Sequence, residues 1–178
     1  MEKIQSMTRN KSQVLVLMSL LVAFSYLGSL VKIQGTIALD ALPAYLGALL
    51  LGPLPGAVIG FVGHLLTAVT SGFPMTLPMH LFIAILMALT IGIFGCLAEK
   101  TNNLFLAGLT GVFMNGPVST LGASYLAAML GLGFSGKVMF FALILPLSLT
   151  SLVNAAGAVA LYKVLKARHV LGGPHEVS

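Results

Sequence analysis

Apolar residues occupy most of this chain in long runs, and short polar or glycine- and proline-rich connections separate them. The runs predict six helices, over about 12–31, 38–51, 56–70, 78–98, 104–130 and 138–164. A helix needs roughly 20 apolar residues to cross a bilayer, so four of these are full spans and the second and third are short. Gly52, Gly56, Gly60 and His64 recur every four residues, with Ala68 next, which places them in one stripe of helix 3. The glycines permit close backbone contact, and His64 on that stripe is expected to face the bundle rather than lipid. On helix 1, Ser19 with Ala23 and Ser25 with Ser29 form two small-xxx-small pairs, each able to admit a neighbouring helix.

The connections carry their own signals. GPLPG at 52–56 reads as a tight turn before helix 3, and Ser71 to Pro78 as a loop with two proline breaks. Thr76 suits the N-cap of helix 4, with Pro78 in the first turn. Glu99 to Asn103 forms a polar turn, and Gly131 to Lys137 a glycine-rich loop. Pro117 removes a backbone donor and kinks helix 5 beside Asn115, whose amide is placed to meet freed carbonyls or a ligand. Asn154, deep in helix 6, is expected to cross-link helices. The tail after Val164 is polar.

Composition places all of this in a membrane. Of 178 residues, 58% are hydrophobic and 7% charged, and the mean hydropathy is +1.05. Soluble domains carry about 25% charged residues, so the chain reads as one all-α integral membrane domain spanning 1–178. The single Cys96 excludes an intrachain disulfide and reads as a packing residue. The net charge of +5 does not indicate nucleic acid, because the basic residues flank apolar segments. Val14 to Val31 is too long for the apolar core of a cleaved signal peptide. Six spans put both termini on one side. Lys3, Arg9, Lys11, Lys100, Lys163, Lys166 and Arg168 then share that side, against Lys32 and Lys137 on the other. The asymmetry predicts cytoplasmic termini and places the connections at 32–37, 71–77 and 131–137 outside.

The candidate chemistry lies in and around Gly35 to Leu81. Ionisable groups in membrane segments are costly and point to function, and this stretch holds Asp40, His64 and His80. Asp40 is a candidate acceptor for ligand hydroxyls or a cationic ring, or else a cap of helix 2. His80, in the first turn of helix 4, is expected to be neutral, with one donor and one acceptor. His64 is deeper, with a structural bond as the alternative to ligand contact. Asn115 and Thr76 join the candidate contacts, and Phe73, Tyr45 and Tyr125 offer faces for stacking a ring. Asp40, His64 and His80 lack metal-ligand spacing, so no metal is expected. The chain has no Walker A sequence and no GxSxG. An enzyme therefore lacks an identifiable nucleophile, and a channel lacks a repeated pore pattern; a small channel or exporter stays as an alternative class.

The run ALDALPAYLGALLLGPLPGAVIGFVGHLLTA, followed by SGFPMTLPMHL, resembles the substrate-binding S component of energy-coupling factor (ECF) vitamin transporters. The family pattern of an acidic residue and proline in helix 2, then a GP-x-x-G turn, falls on Asp40, Pro43, Gly52, Pro53 and Gly56. The resemblance covers about Ser12 to Arg168. It implies a non-catalytic vitamin-binding subunit of the bacterial cytoplasmic membrane, without a cofactor of its own. Its partners would be a transmembrane coupling protein and two ATPase chains. The family's AxxxA contact motif on helix 1 falls on Ser19 and Ala23, with serine in place of the first alanine. Glu2 stands where metal-type members carry histidine, which argues against cobalt or nickel. Among S components the chain looks most like the branch assigned to alpha-ribazole, a cobalamin precursor. Pantothenate or a thiamine pyrimidine precursor is the alternative.

Overall fold

The computed structural model describes residues 10–33 and 37–168. The expectations for Glu2, Lys3, Arg9, Gln34, Gly35 and the tail beyond 168 lie outside the described residues.

Among the described residues the chain is all-helical apart from one pair of two-residue strands. Helix α1 (Lys11–Ser29) is followed by β1 (Lys32–Ile33) and β2 (Ile37–Ala38), then α2 (Leu42–Leu51), α3 (Pro53–Thr70) and α4 (Leu77–Thr101). A continuous span of Leu104–Met129 comprises α5 (Leu104–Phe113), a π-helical turn (Met114–Val118) and α6 (Ser119–Met129). Helix α7 (Gly136–Ala167) closes the bundle. Five of these spans are long and apolar enough to cross a membrane, and α2 is a sixth, shorter apolar helix.

The ends follow from local chemistry. Asn10 N–H donates to Gln13 Oε1 at 3.2 Å at the start of α1. The Thr76 hydroxyl accepts from Met79 N at 3.4 Å, as an N-cap should. Asn102 ends α4 in the left-handed region (φ 51°), and Asn103 Oδ1 caps α5 through Leu106 N at 3.0 Å. The GPLPG segment corrects the expectation of a tight turn. Pro53 to Pro55 form the first turn of α3, where proline costs no hydrogen bond, and Gly52 alone makes the reversal at φ 99°. Helix α2 begins at Leu42 rather than 38, because Pro43 fixes its first turn and the chain before it is extended.

The α2–α3 and α4–α5 turns share the lower end of the bundle, where Gly52 meets Glu99; the α3–α4 and α6–α7 connections share the upper end. The main core fills the centre and lower half around Tyr45, Ile59, Ile91 and Phe94, all fully buried. The glycine stripe makes it tight: a Cβ on Gly56 would stand 2.5 Å from that of Ala48, and one on Gly60 would stand 3.0 Å from Ile91. A smaller upper core joins Met79, Ala123, Ala127 and Met139, with Met75 beside it. Most exposed large side chains are apolar, such as Leu15, Phe24, Phe105, Phe141 and Leu152, as a lipid-facing surface requires.

The two small-residue pairs on α1 part company. Ser25 and Ser29 are fully buried, Ser25 against Gly63 of α3, whereas Ser19 and Ala23 stay exposed. The Ser19 hydroxyl turns back to donate to Leu15 O at 2.9 Å, so its polar group is satisfied within the helix.

Candidate functional site

The connection after β2 dips into the bundle instead of staying at its end. Leu42 N donates to Asn154 Oδ1 at 2.9 Å, and Asn154 stands midway along α7. Two residues earlier, Asp40 lies buried between α1 and α3, 8% exposed. Its carboxylate accepts from the Thr67 hydroxyl, which also contacts Gly63 O at 3.2 Å. Asp40 is not the cap of α2; Ala41 holds that position without a side-chain bond. Among the described residues no cation pairs with Asp40. A carboxylate in such a place depends on hydroxyl and backbone donors, here the Thr67 hydroxyl and the N–H groups of Asp40 and Ala41.

One turn from Thr67, His64 reaches α4: His64 Nε2 and His80 Nδ1 are 3.4 Å apart, with ring centroids 5.5 Å apart. The Phe73 ring stands edge-on to His80, with centroids 5.7 Å apart. The loop geometry places it there. Gly72 (φ 71°) and Phe73 (φ 50°) are both left-handed, and Phe73 N donates to Ala68 O at 2.9 Å. Phenylalanine in that conformation costs roughly 1–2 kcal/mol, a strain that suits a positioned ring. His80 is 6% exposed, and its Nε2 has no partner among the described residues. If Nδ1 donates to His64, Nε2 of the neutral ring accepts; in the reverse arrangement it donates. The upper end thus offers a buried imidazole nitrogen on a ring flanked by a second imidazole and an aromatic ring, with Thr67 on the adjoining helix and Asp40 bonded to it from the connection before α2. The cluster beside it holds Met79 and Met139, flexible side chains able to repack around a guest.

The other expected residues divide. Tyr45 is fully buried, edge-on to Phe94 at 4.8 Å and 3.4 Å from Ser151 Oγ, so the structure places it in the main core. Asn115 lies in the π-helical turn. Gly122 faces Phe82 and Leu86 of α4, so Asn115, two turns before it, sits roughly 10 Å lower along the helix, while His80 is above Phe82. The carbonyls of the π turn are met not by Asn115 but by Ser119, which donates to Met114 O at 2.9 Å, and Thr120, which donates to Gly116 O at 2.6 Å. Tyr125 is 68% exposed on α6, away from the histidines. Thr67 was missed by sequence reading. Its position three residues after His64 on the buried side of helix 3 was the available signal. Among the described residues no three His, Cys, Asp or Glu side chains gather as metal ligands would.

Residues 13–166 match the sequence model of the family described as ECF transporter, substrate-specific component. No curated protein and no solved structure matches the chain.

Proposed function

The chain belongs to the family of substrate-specific components of ECF transporters, and from that membership we propose that it captures a neutral, hydrogen-bonding heterocycle at the His64–His80–Phe73 end of the bundle. The family makes it a multi-pass membrane subunit that binds a small molecule and works with other ECF transporter components. The further reading is vitamin or vitamin-precursor uptake, with alpha-ribazole as the substrate. Both termini would be cytoplasmic and the upper end would face outward, in a bacterial cytoplasmic membrane. A coupling protein and two ATPases, as separate chains, would supply the energy, and this chain would perform no catalysis.

The observation that carries the substrate class is the unpartnered, buried Nε2 of His80 beside Phe73. A buried polar atom without a partner costs about 1–3 kcal/mol, which a ligand that bonds to it recovers. Asp40, with no cation among the described residues, suits hydroxyl donors, and the neighbouring imidazoles and aromatic ring suit a flat base. An anion would find Asp40 adverse.

Titration calorimetry with alpha-ribazole and with pantothenate, at low and high salt, tests the reading. Alpha-ribazole is expected to bind nearly independently of salt and at least tenfold more weakly to His80→Ala. Tighter, strongly salt-dependent binding of pantothenate would replace it. Mass spectrometry of whatever small molecule the purified protein retains supplies an independent answer.

A further inference from the structure

A second cleft lies on the outside of the bundle, between α6 and α7. It encloses about 360 Å³ and is lined by Leu121, Ser124 and Tyr125 on one side and Lys137, Phe140 and Phe141 on the other. None of the residues discussed above as ligand contacts lines it except Tyr125. It opens sideways: Leu121 is 61%, Tyr125 68% and Phe141 72% exposed, and on a membrane helix such apolar surface meets acyl chains.

The upper rim of this apolar cleft is electropositive. Lys137 is exposed and has no ion-pair partner among the described residues. It sits in the first turn of α7, a helix of 32 residues whose N-cap, Ser135, makes no side-chain cap bond. The first N–H groups of such a helix are unpaired and carry partial positive charge, an arrangement that binds phosphate. Ser124 supplies an independent sign of a missing partner. It lines the cleft, it is 2% exposed, and its hydroxyl has no hydrogen bond among the described residues.

We infer that the α6–α7 cleft binds an anionic phospholipid of the leaflet that surrounds the upper end. The phosphate would meet Lys137 and the N-terminus of α7, the glycerol or ester oxygens would meet Ser124, and one acyl chain would lie along Leu121, Phe140 and Phe141. Tyr125, exposed on the wall of the cleft, is a residue type that favours the boundary between acyl chains and headgroups. A soluble anion would use the rim alone and leave the apolar wall without a role. The wall is what commits the site to a lipid. This inference stands apart from the substrate reading, because it uses a different face of the bundle.

Native mass spectrometry of the full chain released from nanodiscs containing equal amounts of phosphatidylglycerol and phosphatidylcholine is the test, with the melting temperature of each variant followed in parallel. Phosphatidylglycerol is expected to be retained preferentially. Lys137→Gln should reduce that preference at least fivefold, Leu121→Trp should abolish retention by filling the cleft, and Lys163→Gln, a cation at the opposite end, should change nothing. Ser124→Ala, a small change compatible with folding, should weaken retention of both lipids. Equal retention of the two lipids by the wild type, or an unaltered preference in Lys137→Gln, would overturn the proposal. So would displacement of the lipid by millimolar glycerol phosphate, which would make the cleft a site for a soluble anion.

Discussion

Asn154 Oδ1 accepts the backbone hydrogen bond of Leu42 at 2.9 Å, so a side chain of the last helix caps the first turn of the second. The amide is used at both ends, because Asn154 Nδ2 donates to Thr150 O at 3.0 Å. Asn154 is 1% exposed, and the orphan N–H groups of a helix start cannot find water there. Asn154→Ala leaves Leu42 N–H buried without a partner, a cost of about 1–3 kcal/mol. The expected result is a lower melting temperature in detergent with little change in affinity for a bound ligand. An unchanged melting temperature alongside a tenfold loss of affinity would instead assign Asn154 to the binding site.

His80 and Asp40 are expected to behave in the opposite way. His80 Nε2 is buried without a partner among the described residues, and Asp40 has no cation beside it there. His80→Ala and Asp40→Asn should each weaken binding at least tenfold, equivalent to about 1.4 kcal/mol or more, in protein that still folds. Asn115→Ala, lying lower in the bundle, tests how deep the ligand reaches. A tenfold loss there extends the site to the π turn, and wild-type affinity confines it to the upper end. Calorimetry on the three variants separates these outcomes.

The exposed Ser19–Ala23 strip on α1 is expected to receive the coupling partner. Ala23→Trp should block assembly and uptake while the isolated subunit binds ligand as before, measured by pull-down with the coupling module and by calorimetry. Normal assembly of Ala23→Trp would move the docking surface elsewhere.

The contact of Gly56 with Ala48 leaves no room for a side chain. Gly56→Val should push α2 and α3 apart and destabilise the fold by about 1–3 kcal/mol, as overpacking does. The same substitution at Gly108, where nothing stands within 4 Å of the added Cβ, should be nearly silent in a thermal melt.

Topology is open to direct labelling. Cys96 is exposed, so the background for such work is Cys96→Ala. In that background Gly133→Cys should react with an impermeant thiol reagent added to intact cells, and Thr101→Cys should not. The reverse pattern would invert the membrane orientation.

The apolar runs by themselves determined that this is a helical membrane bundle, and the family-type pattern around Asp40 to Gly56 was readable without coordinates. Local chemistry was legible too: Thr76 caps α4, and the four-residue glycine stripe buries its face because that periodicity is a property of the helix alone. What needed the tertiary structure was every decision between equivalent surfaces. Ser19–Ala23 and Ser25–Ser29 have the same spacing, and only the seat of α3 against Ser25 makes one pair internal and leaves the other free. Tyr45 and Phe73 are both aromatic residues near candidate polar groups. Packing against Phe94 and Gly111 puts the first in the core, while a left-handed turn sets the second edge-on to His80. The meeting of His64 with His80, of Asp40 with Thr67, and of Leu42 with Asn154 joins residues on different elements. Sequence spacing specifies which face of its own helix a residue occupies. It does not specify the depth at which that helix sits beside its neighbour, and that depth is set by how side chains of both helices interlock.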